Sequence, residues 1–479
     1  MDRQILQILA VFALTACGTV EIPPTQVDII RQVQIWENPR NSLSAVVVIE
    51  TFEPCRVQVE FSSDKTSTQR TGLSAHGTEH EITVVGLRSE TIYHLQPIVL
   101  TDAGDELPGE RSEFATGKLA EGIPELEVVV HDPDLLQPGV TIFGPSRMGS
   151  EGNETWPLYL GVDQSGEVVW YYEDATNNSR TTATRDVKML PDGNLLIGVA
   201  GGFRVITIGG DTVAEVTGHF HHDGVGLPES GYITLTQQTQ EVYSPSLGTV
   251  QARGDVIVEL DEQGETTWTW SMFDHLDTSR FPTGLSNTRG ENGTYDWTHS
   301  NAVVYCQQDQ SILASVRHQN WVIKVDRKTG ALLWRFGVGG DFQLTNLDPA
   351  TGNTWFFSQH APQPGPDNTM LIYDNGNDRP GPPQASHKFS RAVMYRLDEQ
   401  QLLAEQIWQY QTDFYTHFVG DADFLANGNV LVCAGGPGEE APAVITEVTG
   451  ETPARKVWEL RADGLVIYRA TRLPSFWLD

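Results

Sequence analysis

An all-β chain, a six-bladed β-propeller preceded by a small β-sandwich, is the fold that this sequence predicts, and three observations predict it. From about residue 141 a unit recurs in which an apolar run meets an acidic, glycine-bearing turn and then a tryptophan. Between copies lies a second apolar run after a Pro- or Asn-containing turn, as in Leu190-Pro191-Asp192-Gly193-Asn194-Leu195-Leu196 and Leu425-Ala426-Asn427-Gly428-Asn429-Val430-Leu431. Upstream, runs rich in β-branched and aromatic residues alternate with turn residues and show no helical period.

The first residues read as a targeting segment. Ile5 to Leu14 is apolar but too short to span a bilayer as a mature helix, and it closes on Leu14-Thr15-Ala16-Cys17. This resembles a bacterial lipoprotein signal over residues 1–17. Cys17 is then the lipidated residue, residues 18–39 a tether, and the chain an envelope lipoprotein facing the periplasm or the cell surface, touching the membrane only through its lipid. Asp2 offsets Arg3 in the usually basic leader, so an ordinary secretory signal is the alternative.

Residues 40–118 form the expected sandwich. Ala45-Val46-Val47-Val48-Ile49, Arg56-Val57-Gln58-Val59-Glu60-Phe61 and Thr91-Ile92-Tyr93-His94-Leu95 have strand composition. Leu87 ahead of Tyr93, Asp102-Ala103-Gly104 and Phe114-Ala115-Thr116-Gly117 make the stretch resemble a fibronectin type III or immunoglobulin-like module, whose tyrosine packs on a preceding corner. Residues 119–140 read as a linker.

In the propeller, residues 141–479, the acidic turn and its tryptophan appear as Asp163–Gly166 with Trp170, Asp261–Gly264 with Trp268, Asp326–Gly330 with Trp334, Asp398-Glu399 with Trp408 and Glu447–Gly450 with Trp458. Ile208-Gly209-Gly210-Asp211 is a sixth copy without tryptophan. These tryptophans are expected to pack between blades, and the stretches Pro282–Tyr295 and Thr345–Trp355 to be insertions over one face of the channel.

The balance of 31 Lys+Arg against 63 Asp+Glu gives a formal charge of −32, which repels nucleic acid and excludes that partner. Cys55, Cys306 and Cys433 are far apart, with no spacing for a zinc site or redox pair, so buried free thiols are expected, a bridge from Cys55 to the later domain being the alternative.

Chemistry concentrates in His221-His222-Asp223, Asp296-Trp297-Thr298-His299-Ser300-Asn301, Ser315-Val316-Arg317-His318-Gln319-Asn320 and Gln359-His360-Ala361-Pro362. Each lies at a strand end, and a radial fold converges them into a histidine-rich anion site. Strand alternation puts His299 with Asn301, and Arg317 with Gln319, toward the channel, leaving His318 facing away. Phe356 and Phe357 are expected as flat walls for an aromatic ring.

With Tyr373-Asp374-Asn375-Gly376-Asn377, Ser390-Arg391-Ala392 and Phe418-Val419-Gly420-Asp421-Ala422, these segments make the chain resemble the arylsulfate sulfotransferases across the whole propeller. The resemblance implies a ping-pong transfer of a sulfuryl group from an aryl sulfate donor to a phenolic acceptor, without the nucleotide donor 3′-phosphoadenylyl sulfate. It implies His360 as the nucleophile that is transiently sulfated, His299 as acid or base, and Asn301 and Arg317 as holders of the sulfuryl oxygens. His221 or His222 completes the clamp, with Thr416 close by. No cofactor and no metal is implied, and homo-oligomerisation is compatible with the sequence. Some family members carry a disulfide upstream of the nucleophile; residues 340–359 contain no cysteine.

Three other readings compete. His219-Phe220-His221-His222-Asp223 has residue types that bind zinc or copper, although neighbours on a strand face opposite ways. The Asp-to-Trp repeat also occurs in quinone-binding dehydrogenases, which leaves His299, Arg317 and His360 without a role. A catalytically silent propeller binding a sulfated or phenolic ligand, or a partner protein, would use the same channel. Asp374–Asn377 is either a simple turn or a support behind the nucleophile.

Overall fold

The computed structural model describes residues 29–149, 152–154, 158–174, 186–199, 201–282, 289–290, 292–348, 352–380, 388–436 and 442–477. Cys17 and the expected signal lie outside these residues. Among them no helix is long and apolar enough to cross a membrane.

Six units built on four antiparallel strands form the propeller, and four of them carry a fifth strand. Blades 2 to 6 begin at their innermost strands, Val187–Met189, His221–Gly226, Ser300–Cys306, His360–Pro364 and Asp421–Phe424. Blade 1 takes its innermost strand from the other end of the chain: Leu465–Leu473 pairs antiparallel with Val140–Gly149. Blade 6 gains a fifth, outermost strand from upstream, where Glu127–His131 pairs with Lys456–Ala462. The ring is therefore sewn shut at two radii, and inner strands of successive blades touch one another around the axis. Residues 119–140, read as a linker, thus contribute a structural strand, because the last blade leaves an open edge that backbone groups must fill.

The repeat has a clear physical purpose. The acidic turn joins the third and fourth strands of a blade, its aspartate capping the backbone N–H groups of the turn, as Asp163 does for Ser165 and Glu167. The fourth-strand tryptophan then donates its indole N–H to the same turn in the next blade. Trp170 reaches Ile208 O at 2.9 Å, Trp408 reaches Glu451 O at 3.1 Å and Trp458 reaches Gln164 O at 2.8 Å. In blade 3 this position belongs to Trp270, which reaches Gly330 O at 2.9 Å; Trp268, two residues earlier, is only half-buried. Both residues point to the same face by alternation, so sequence alone could not choose between them.

Around the N-terminal sandwich, Ala45–Ser62 serves two sheets in turn, and Tyr93 Oη accepts the backbone N–H of Arg88 at 2.9 Å, closing the expected tyrosine corner. Its first strand is Ile30–Glu37, inside the stretch read as a tether. Arg31, Gln32 and Gln34 make that edge strand too polar to stand out in the sequence. The sandwich grips blades 1 and 2 through Arg88 on Asp163, Asn38 on Gly209 O and Trp477 against Phe61.

The expected channel cover also differs. Gln343–Leu344 runs parallel to Leu403–Ala404 as an added outer strand of blade 5, and Tyr295–Asp296 lies against the blade 3 hairpin. These segments satisfy exposed strand edges. Residues 283–288 and 349–351 of the two insertions lie outside the described residues.

Candidate active site

Four innermost strands carry an irregularity at one level of the channel. Register shifts fall between His221 and Gly224, Ser300 and Ala302, His360 and Gln363, and Ile467 and Ala470. Near them His222, His299 and Ala361 hold positive φ of 62°, 49° and 46°. Bulges re-aim side chains, and such backbone strain, about 1–3 kcal/mol per residue, persists where surrounding structure over-determines it. Simple strand alternation therefore fails here.

His360 is buried, and its Nδ1 lies 2.6 Å from Asn375 Oδ1. The Asn375 amide donates to Thr416 O and Val419 O, both at 2.8 Å, so its oxygen is the atom facing the imidazole. Nδ1 of His360 is consequently the protonated nitrogen, and Nε2 presents a lone pair to the channel. Burial, and then the Arg317 charge, hold the pKa of His360 well below the usual histidine range.

Arg317, 8% exposed, donates from Nη2 to His417 O at 2.8 Å and from Nη1 to His318 Nε2 at 2.9 Å, while its Nε has no partner. Burial lowers its pKa to about 10, leaving it cationic at neutral pH. Arg317–Gln319 is a 3-10 turn and not a strand. His318 accordingly does not face away: it donates from Nδ1 to Asp296 O at 2.7 Å and stacks on His299 with ring centres 4.5 Å apart. Burial and the neighbouring His299 push its pKa down to about 3, keeping it a neutral acceptor for Arg317. Gln319 instead donates to Trp297 O.

His299 is partly exposed, and its Nδ1 meets Asp296 Oδ2 at 2.5 Å. Burial alone would raise the Asp296 carboxyl, but the His299 hydrogen bond and electrostatic attraction to His299 and Arg253 outweigh it and hold the group ionised. Of the upstream pair, His222 faces the channel. Its ring lies 5.1 Å from that of His299 and 6.4 Å from that of Tyr468, whereas His221 turns toward Asp255. The two Nδ1 atoms are 2.8 Å apart and share a proton; burial and adjacent imidazoles lower the His222 pKa.

Asn301 and Thr416 sit behind the channel surface. Asn301 is fully buried and donates to Gln359 O at 2.8 Å, tying blade 4 to the residue before His360. The Thr416 hydroxyl meets Tyr373 Oη at 2.5 Å, and its carbonyl holds Asn375. The Asp374–Asn377 segment is a support behind His360 and not a simple turn: Asn375 bonds its imidazole, Asp374 pairs with fully buried Arg391 at 2.8 Å, and Asn377 donates to His417 O. Phe356 and Phe357 pack in the core, Phe356 against Phe336, and are not walls. Tyr468 is the aromatic ring beside both His222 and His360, each at 6.4 Å. Sequence reasoning missed it because it enters on the chain-closing strand.

Below this level Arg469 pairs with Asp186 and Asp223 and donates to Asn301 O at 2.7 Å, and Lys188 joins the same carboxylates. Nothing in the sequence marks these groups as neighbours. They leave Asp223 engaged, so it is not free to ligate metal with His221 and His222. Asp296, His299 and His318 are close enough to hold an ion, but His299 Nδ1 and Asp296 Oδ2 already bond each other, and the two His318 nitrogens are taken by Asp296 O and Arg317. Cys55, Cys306 and Cys433 are free thiols.

A closed β-propeller gathers buried imidazoles and an incompletely paired guanidinium about its inner strands. Residues 145–469 match the arylsulfotransferase (ASST) family, and the chain belongs to that family. It is 28% identical over 167 residues to arylsulfate sulfotransferase AssT of Escherichia coli O6:H1 (strain CFT073), covering 29% of this chain and 28% of that protein. The AssT of Lelliottia amnigena is 28% identical over 160 residues, covering 28% and 27%. The aligned stretch thus spans less than a third of either relative. Among solved structures, an oxidoreductase (glucose dehydrogenase) from Thermus thermophilus aligns over 58% of this chain and 95% of that one, with 10% identity and a TM-score of 0.27.

Proposed function

We propose that the protein is an aryl sulfotransferase that moves a sulfuryl group from an aryl sulfate to a phenol through a sulfohistidine on His360. The observation that carries this reading is the fixed tautomer of His360, whose buried imidazole lies within electrostatic reach of Arg317, His299 and His222. In the first half-reaction Nε2 attacks sulfur, the aryl S–O bond breaks, and the leaving phenolate takes a proton from His299. Asp296 stabilises the charged imidazole of His299, as in other His–carboxylate pairs. Arg317 and His222 hold the sulfuryl oxygens; a preorganised donor of this kind contributes about 10²–10³ in rate. In the second half-reaction His299 takes the proton of the acceptor phenol, whose oxygen attacks sulfur and releases His360. Asn301 and Thr416 act as positioning residues, and the chemistry uses no nucleotide donor.

The aryl sulfate and phenol are the substrates that the names of the relatives suggest. We also propose an envelope location through a lipid on Cys17, which Cys17→Ala would abolish, releasing the protein from membranes. The activity is tested by nitrophenol release from 4-nitrophenyl sulfate with phenol present and 3′-phosphoadenylyl sulfate absent. Turnover that disappears in a folded His360→Ala variant supports the enzyme, whereas no turnover in the parent chain returns the protein to a ligand-binding propeller.

A further inference from the structure

Two opposite blades are tied to each other across the channel. The blades follow one another around the axis in chain order and blade 6 returns to blade 1, so blade 1 stands opposite blade 4. Tyr468 and Arg469 of blade 1 nevertheless both reach the main-chain carbonyl of Asn301 on blade 4, Tyr468 Oη donating at 3.0 Å and Arg469 Nη2 at 2.7 Å. Bonds between opposite inner strands have to cross the axis.

Two bulges make the crossing. The register slips between Ser300 and Ala302, which leaves Asn301 without a ladder partner and frees its carbonyl. It slips again between Ile467 and Ala470, which lets the neighbours Tyr468 and Arg469 both turn inward. Arg469 also holds Asp186 of blade 2 at 2.7 Å and Asp223 of blade 3 at 3.0 Å, and Asp223 accepts the Val303 N–H of blade 4 at 2.9 Å. One buried guanidinium thus links blade 1 to three others. It packs 5.1 Å from the centre of the Tyr468 ring, and that ring lies 6.4 Å from those of His222 and His360.

A sulfuryl group on His360 Nε2 is attacked from the channel, on the side away from the nitrogen. Water arriving there would hydrolyse it: the water oxygen attacks sulfur, the N–S bond breaks, and sulfate leaves with two protons, one retaken by His299 and one lost to solvent. Closed sites spare reactive intermediates that fate by excluding water. Resting on the sulfuryl-transfer reading above, we infer that Tyr468 and Arg469, anchored on Asn301 O, are the floor of the site: they bar the channel behind the histidines and so direct the sulfuryl group to a phenol instead of to water. Donor, leaving phenol and acceptor then share one mouth.

With 4-nitrophenyl sulfate and no acceptor, the nitrophenol and inorganic sulfate released after the burst measure hydrolysis; with phenol added, phenyl sulfate measures transfer. Tyr468→Ala opens the floor and should raise the acceptor-free rate at least about tenfold. Tyr468→Phe keeps the ring and should hold the parent's ratio of hydrolysis to transfer. Arg469→Lys keeps a charge facing Asp186 and Asp223 but shortens the reach to Asn301, so it should raise hydrolysis in the same direction, and it serves should Tyr468→Ala fail to fold. An acceptor-free rate that stays at the parent's level in both opened variants, even where transfer falls, overturns the floor while leaving sulfuryl transfer intact. A parent chain that passes the group to water as readily as to phenol refutes the floor as well, and one that transfers nothing to phenol overturns the reading on which it rests.

Discussion

Asn375 fixes His360 by accepting a hydrogen bond from its Nδ1 at 2.6 Å while committing both of its own amide protons to Thr416 O and Val419 O. The amide cannot turn over without losing two buried hydrogen bonds, each worth about 1 kcal/mol net and more if left unpaired. The nucleophilic face of His360 is thus set from three segments at once.

Asn375→Ala removes that control. The imidazole can then protonate at either nitrogen and rotate, so kcat should fall about 10²–10³-fold with little change in KM, by analogy with the loss of an orienting partner in other histidine catalysts. Steady-state kinetics decide it; a rise in KM alone would assign Asn375 to substrate binding.

His318 holds Arg317 Nη1 and stacks on His299. His318→Phe keeps a flat ring but loses the acceptor, leaving the guanidinium less well aimed. A fall in kcat/KM of about tenfold or more is expected, with Arg317→Lys at least as damaging because an ammonium lacks the fork. Unaltered kinetics in His318→Phe would show that Arg317 needs no such anchor.

Burial and the Arg317 charge lower the His360 pKa well below the ordinary histidine range, so the nucleophile stays unprotonated from mildly acidic pH upward. The acid limb of kcat/KM assigned to His360 should therefore lie well below the ordinary histidine value near 6.5. A nucleophile titrating at the ordinary value, seen directly by the NMR shift of its ring, would contradict the burial argument.

Asp423 near the channel floor has its pKa raised to about 7 by burial and by the Asp186 charge. Its folded value exceeds the ordinary 3.8, so its proton contributes stability that is full below about pH 4 and is lost as pH rises through 7. Going from roughly pH 5 to pH 8, Tm of the parent should fall more than Tm of Asp423→Asn. Equal falls would show that the carboxyl is ionised throughout.

Gly420 sits at φ 126°, and a Cβ added there would run into the Tyr373 ring. Gly420→Ala must push Tyr373 away from Thr416, costing about 1–3 kcal/mol of stability and some activity through Asn375. Denaturant midpoints test it.

The propeller was legible because its repeat is physical: in four of the six blades a tryptophan joins the acidic turn of the next blade, as Trp458 does at Gln164. The histidines and Arg317 were legible as a set because radial folds converge strand ends. What the sequence hid was local backbone. His299 and His222 sit in left-handed conformations beside bulges, which breaks the alternation that would send His318 outward. Tyr468 and Arg469 were hidden for a topological reason, since only ring closure brings the last strand into blade 1.

The central claim is that His360 carries the sulfuryl group. Mixing the protein with 4-nitrophenyl sulfate in the absence of any phenol acceptor, quenching, and weighing the His360 peptide by mass spectrometry tests it most directly. A stoichiometric burst of nitrophenol, the mass of one sulfuryl group on that peptide, and its discharge by added phenol are the expected result. Continued transfer to phenol with His360 unmodified throughout, or an adduct on another residue, would contradict the account.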